Sequence, residues 1–131
     1  MPKFSKSSLK KLQTCHEDLQ KIFLHVITHY DCTIVQGHRD KKTQNKYYNE
    51  GKSKLQWPNS KHNSNPSRAA DVAPYIDGEV SWNKEQCYVF AGFVMGTAAM
   101  MRIPIRWGGD WDQDNNIHDQ TFNDLVHFEL I

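Results

Sequence analysis

A chain of 131 residues with 24% charged and 38% hydrophobic side chains has the composition of a folded globular protein, and its length suits one domain over residues 1–131. A formal net charge of +1 excludes the strongly basic balance of a nucleic-acid binder, although Lys3, Lys6, Lys10 and Lys11, and then Arg39, Lys41, Lys42, Lys46, Lys52 and Lys54, form local basic clusters. Neither a signal-peptide run nor an apolar segment of membrane length is present, so the chain is expected to be made in the cytoplasm, without membrane insertion.

Leu9, Leu12, Leu19, Ile22, Phe23, Val26 and Ile27 fall on one stripe at helical spacing, which predicts a helix from about Ser7 to Tyr30 capped by Ser7 or Ser8. His16, His25 and His29 lie on or beside it and are expected at the surface or in packing. The β-branched run Cys32–Gln36 predicts a strand. A polar helix is expected from Lys42 or Thr43 to Glu50, ended by Gly51. Lys52 to Ser67 is rich in Ser, Asn, Lys and Pro without periodicity, and so predicts a long loop.

Arg68–Ile76 predicts a strand, Asp77-Gly78 a type I′ turn, and Glu79-Val80 a short return. A further helix, capped by Ser81 or Asn83, should reach about Met101; Ala91, Gly92, Gly96, Ala98 and Ala99 suggest close packing, making it the central buried helix. Ile103–Trp107 predicts a strand, Gly108–Thr121 a polar loop and Leu125–Ile131 a terminal strand. The resulting class is α+β, a small, mainly antiparallel sheet packed against about three helices. Three widely spaced cysteines, Cys15, Cys32 and Cys87, form no CxxC pair and are expected as buried small hydrophobes.

Two stretches carry the chemistry: Ser60-Lys61-His62 through Asp71, and Asp124 through His127. Two imidazoles and a carboxylate could give a catalytic zinc its three protein ligands, leaving a position for water, with another carboxylate as base. Taken singly, each histidine is more readily a surface or core residue than a ligand, and spacing alone does not overturn that reading.

The residues quoted so far resemble the zinc family of D-Ala-D-Ala carboxypeptidases and L-alanyl-D-glutamate endopeptidases, and its small phage endolysins in particular. Val35-Gln36-Gly37-His38-Arg39 with Gln44 and Gly51 is similar to the family's Gly-x-Arg block. Ser60-Lys61-His62 with Ala69-Ala70-Asp71 looks like its Ser-x-His…Ala-x-Asp signature. Ile105 through Trp111, and Asp124-x-x-His127-Phe128-Glu129, resemble its closing blocks. One departure stands out: Asn63 through Arg68 lengthen the interval between His62 and Asp71.

The resemblance implies a fold of the hedgehog/D-Ala-D-Ala-peptidase type and one Zn²⁺ held by His62, Asp71 and His127. It makes Asp124 the base that takes a proton from water and passes it to the leaving amine. Arg39 would stabilise the oxyanion or hold a substrate carboxylate, with a structural salt bridge as the alternative. Ser60 is expected to orient its loop, and Trp111 to wall the cleft; Trp107 is expected in the wall or the core. The implied activity is hydrolysis of a peptidoglycan stem-peptide bond, L-alanyl-D-glutamate first, by a monomer acting at the bacterial cell wall after release through the membrane. The alternatives are a D-alanyl-D-alanine carboxypeptidase and a non-catalytic zinc domain that binds the wall.

Asp110-x-Asp112-x-Asp114 has the alternate-oxygen spacing of a calcium loop, with Ile117 at the hydrophobic position. Asn115 in place of glycine, Thr121 in place of glutamate and a strand in front favour a solvated loop over a Ca²⁺ site. His118 in the same stretch is expected at the surface.

Overall fold

The computed structural model describes residues 2–120 and 122–131. Its elements are α1 (Lys6–Leu12), α2 (Glu17–Val26), β1 (Cys32–Gln36), α3 (Lys41–Asn49), a 3-10 turn (Lys61–Asn63), β2 (Ala69–Ile76), β3 (Glu79–Val80), α4 (Lys84–Met101), β4 (Ile105–Gly108) and β5 (Asp124–Leu130). The sheet runs β1-β2-β5-β4 with every pairing antiparallel, and β3 folds back on β2. This is the expected α+β class with a small antiparallel sheet. Thr121, the end of the expected polar loop and the twelfth position of the calcium-like pattern, lies outside the described residues. Among the described residues no helix is long and apolar enough to cross a membrane.

The expected first helix is two helices. Ser5, not Ser7 or Ser8, caps α1 by accepting from Ser8 N at 3.1 Å. Beyond Leu12 the Thr14 hydroxyl donates to Lys11 O at 2.6 Å. His16 N then donates to Ser67 O (2.7 Å) and Ser67 N to Thr14 O (2.9 Å), so a backbone bridge takes over from the helix ladder. His16 Nδ1 accepts from Asp18 N and starts α2. Leu12, Leu19, Ile22, Phe23 and Val26 are nevertheless all buried. The break leaves the apolar stripe in phase, so periodicity does not betray it. Gly37 packs on this break; a Cβ there would fall 2.3 Å from Thr14 Oγ1 and 2.4 Å from Lys11 O.

Other elements keep to expectation within a residue or two, the usual uncertainty of element ends. Asp40 caps α3 through Thr43 N, and Gly51 follows the helix at φ 76°. Asp77 and Gly78 adopt φ 53° and 84°, the paired positive values of a type I′ turn. Asn83 caps α4. That helix is buried on one face only: Phe90, Ala91, Val94 and Ala98 face the core, while Gly92, Gly96, Ala99 and Met100 face solvent. Its glycines therefore do not serve close packing, and it is not the wholly buried helix expected from its small residues. The core is keyed by Phe128 of β5, which receives Phe23 of α2 (5.7 Å, 65°) and Phe90 of α4 (6.2 Å, 82°) edge-on.

All three cysteines are buried and free. Burial, with the Asp31 charge adding to it, pushes the Cys32 thiol from 9.0 up to about 12. The folded state thus favours the neutral thiol, and the stability so gained is intact below pH 9 and lost as pH rises toward 12. At pH 10.5 the loss should reach about 2 kcal/mol. Urea unfolding at pH 8 and at pH 10.5 checks this. Cys32→Ala should lose about 2 kcal/mol less than the parent between the two conditions; equal losses would show that another group drives alkaline unfolding.

Candidate metal centre

Asp71 and His127 are direct cross-strand partners of β2 and β5, so their side chains leave the same face of the sheet. His62 comes from the 3-10 turn, which the sequence placed in an unstructured loop. Ser60 Oγ accepts from His62 N (3.2 Å) and Asn63 Oδ1 from Ser60 N (3.1 Å), a capping box that makes Ser60 the orienting residue of the turn. Arg39 N donates to His62 O at 2.8 Å, tying the turn to the loop after β1. The lengthened stretch between His62 and Asp71 does not separate their side chains.

Asp124 reaches this face through an irregularity. Residues three apart on a regular strand point to opposite faces. Here the pairing of β4 with β5 jumps from Trp107–Phe128 to Gly108–Asp124, and this bulge reverses the parity. Asp124 Oδ2 consequently lies 3.9 Å from His127 Nδ1. The close crossing needs Gly108, whose Cβ would sit 2.1 Å from Asp124 O.

His62 Nε2, His127 Nδ1 and Asp71 Oδ1 form a nearly equilateral triangle of 3.2, 3.2 and 3.3 Å. The far nitrogen of each ring settles what the near one offers. His62 Nδ1 is 2.8 Å from Gly37 O, which only accepts, so this nitrogen carries the proton. His127 Nε2 is 2.8 Å from Glu129 Oε1, which sits at about 2 and is ionised; it too is met by an N–H. In their neutral forms, the ones a metal takes, both rings turn a lone pair toward the Asp71 oxygen, and three acceptors converge.

Only a proton or a cation relieves that arrangement. A tetrahedral zinc with bonds of about 2.0–2.1 Å spaces its donors about 3.3–3.4 Å apart, so the triangle has the dimensions of one face of such a site. Backbone and carboxylate acceptors behind the rings are the usual outer support of metal-binding histidines. The donor set fits a single divalent ion.

Electrostatics agree. Burial alone would raise Asp71, but the charge of His62 and the hydrogen bond from His127 outweigh it and hold the carboxylate well below its usual range. With no ion in the triangle a proton takes its place: burial would lower His127, yet its bonds to Asp71 and Glu129 push it up to about 9. The pocket thus attracts positive charge. Asp124 is raised to about 6 by burial and then by the nearby Asp71 charge, which strengthens it as a base.

Arg39 is 6% exposed and its donors are engaged. Nε meets Gln36 Oε1 (3.3 Å), one terminal nitrogen Gln44 Oε1 (3.0 Å) and the other Asp71 Oδ2 (3.4 Å), while Tyr47 covers its face at 4.6 Å. Gln44, wholly buried, accepts from Arg39 and Asn63 and donates to Ser53 Oγ and Leu55 O. Chain position offers no signal for this network, nor for the Glu129–His127 contact beyond their two-residue spacing.

The triangle opens on a cleft of about 730 Å³ lined by Arg39, Tyr47, Trp82, Arg106, Trp111 and Asp124 among others. Trp111 packs against His127 (5.3 Å) and Phe122 (6.4 Å). Trp107 is core, 8% exposed, with its indole N–H on Leu125 O. Asp110, Asp112 and Asp114 each bring an oxygen within 4.8 Å of the others. Asp110 accepts from Asp114 N and Asn115 N, and Asp114 from Asn116 N, so these carboxylates already hold the loop's backbone. His118 is exposed; His25 and His29 meet edge-on beside Phe93, away from the triangle.

The family model of the phage L-alanyl-D-glutamate peptidases matches residues 1–131. The chain is 34% identical over 136 residues to the L-alanyl-D-glutamate peptidase of Escherichia phage T5, with 98% of each covered. It is also similar in fold to the crystal structure of the Serratia marcescens L-Ala D-Glu endopeptidase ChiX: TM-score 0.80, 24% identity, covering 99% of this chain and 91% of that one.

Proposed function

The chain belongs to the phage L-alanyl-D-glutamate peptidase family, and from that premise we propose that residues 1–131 act as one zinc peptidase domain, a phage endolysin that cuts the L-alanyl-D-glutamate bond of peptidoglycan. The observation that carries the zinc assignment is the triangle of three converging acceptors at 3.2–3.3 Å. His62, Asp71 and His127 would hold the ion. Zinc supplies a Lewis acid that makes water acidic and polarises the scissile carbonyl.

The chain's own residues do the rest. Asp124, with one side open to the cleft, accepts the proton of the attacking water and returns it to the leaving amine. Its position 3.9 Å from His127 Nδ1 puts it beside the ligand set without its joining the set. Arg39, joined to the outer oxygen of Asp71, holds that carboxylate with a single oxygen toward the histidines. Glu129 fixes the tautomer of His127, and the Gly37 carbonyl that of His62. Trp111 and Phe122 give the cleft an aromatic wall that limits water beside the reacting atoms.

Mass spectrometry of fragments from purified peptidoglycan tests this function. A newly exposed D-Glu amine is expected. Release of terminal D-Ala would replace the assignment with a carboxypeptidase, and zinc binding without any release would replace it with a wall-binding module.

A further inference from the structure

Resting on the peptidase reading above, we propose that Arg106, backed by Lys61, is the specificity-determining cation that receives the free carboxylate of the substrate's glutamate. A glutamate acylated through its amine keeps two carboxyl groups. A continuing chain uses at most one of them, so an anion remains on the leaving-amine side, a few bonds from the nitrogen that departs. A cleft that selects glutamate needs a cation with unused donors near the scissile bond.

Arg39 lacks that freedom, and Lys52 and Lys54 are exposed lysines held only by surface contacts. The Arg39 nitrogens meet Gln36, Gln44 and Asp71, and it is almost fully covered. Lys52 pairs with Glu50 at 3.2 Å and lies over Tyr47. Lys54 sits over the Phe122 ring.

Arg106 and Lys61 are placed differently. Their side chains are 35% and 34% exposed, and both share Glu129 Oε2, at 2.7 and 3.3 Å. The other Glu129 oxygen belongs to His127. Two cations on one carboxylate leave one positive charge in excess, separated from the ligand triangle by Glu129 and the His127 ring. Lys61 also donates to Leu130 O. Among the described residues, one terminal nitrogen of Arg106 reaches only Trp111 O, at 3.5 Å, and its buried Nε–H has no acceptor.

The Trp111 ring lies 5.6 Å from the guanidinium and holds it in the cleft wall. Asp124, at the opposite side of the His127 ring from Glu129, would repel an anion. A glutamate carboxylate in the cleft is therefore drawn toward Arg106, where a charge-assisted hydrogen bond awaits it.

The test uses acetyl-L-Ala-D-Glu peptides extended at one glutamate carboxyl, with the other left as carboxylate or converted to carboxamide. The parent protein should show kcat/KM about ten- to a hundredfold higher for the carboxylate. In Arg106→Gln that ratio should fall toward one, while Arg106→Lys should recover part of it; Lys61→Met should lower it by less. Equal parent rates on both peptides would overturn the inference and leave the peptidase function standing. An intact preference in both Arg106→Gln and Lys61→Met would overturn it too, sending the carboxylate elsewhere. Cleavage of neither peptide would overturn the peptidase reading and this inference with it.

Discussion

His127→Ala is expected to lose both zinc and hydrolysis. Removing the imidazole deletes one of the three converging acceptors and leaves two, Asp71 Oδ1 and His62 Nε2, 3.2 Å apart. The loss of affinity should exceed the roughly 10–100-fold typical of removing an outer partner of a ligand. The fold should survive. Asp71 keeps Arg39 and His62, and Glu129 keeps Arg106 and Lys61, so no buried charge is stranded. Metal analysis of the purified variant beside its circular dichroism checks both halves. A folded variant with a full equivalent of zinc would remove His127 from the ligand set.

Asp124→Ala should separate what His127→Ala joins. The Asp124 side chain makes no hydrogen bond among the described residues, and its nearest charged partner is His127, 3.9 Å away. Its removal should leave stability within about 0.5 kcal/mol and zinc content unchanged. Turnover should fall about 10²–10⁴-fold, the usual share of a general base. Metal content and peptide hydrolysis measured on one preparation decide it. Full turnover by the variant would end the assignment of Asp124 as base, whereas loss of zinc would make it a fourth ligand.

Much of the fold is legible in the sequence because it depends on neighbours in the chain. The β-branched run Cys32–Gln36, the Asp77-Gly78 turn, the Asn83 cap and the glycine after α3 each state a local preference, and each appears where that preference puts it. The first helix is the exception that explains itself. Leu12 and Leu19 stay on one stripe, while the break between them is made by Ser67, more than 50 positions away, with Gly37 packed against it. The small residues of α4 mislead for a related reason: composition does not say which face a partner covers, and Gly92 and Gly96 face solvent.

By itself, the sequence determined the α+β class, the strands that carry Asp71 and His127 and, through resemblance, His62, Asp71, Asp124 and His127 as the candidate site. Tertiary structure alone decided how they stand to one another. Register between β2 and β5 pairs Asp71 with His127, and the bulge at Gly108 turns Asp124 onto the same face despite its odd spacing. A carbonyl from Gly37 and a carboxylate from Glu129 choose the tautomers, while Gln44 binds the Arg39 loop to the His62 turn. The physical reason is range. Propensity and periodicity act over a few residues, whereas the direction of a lone pair is set by hydrogen bonds that close only once distant segments have packed.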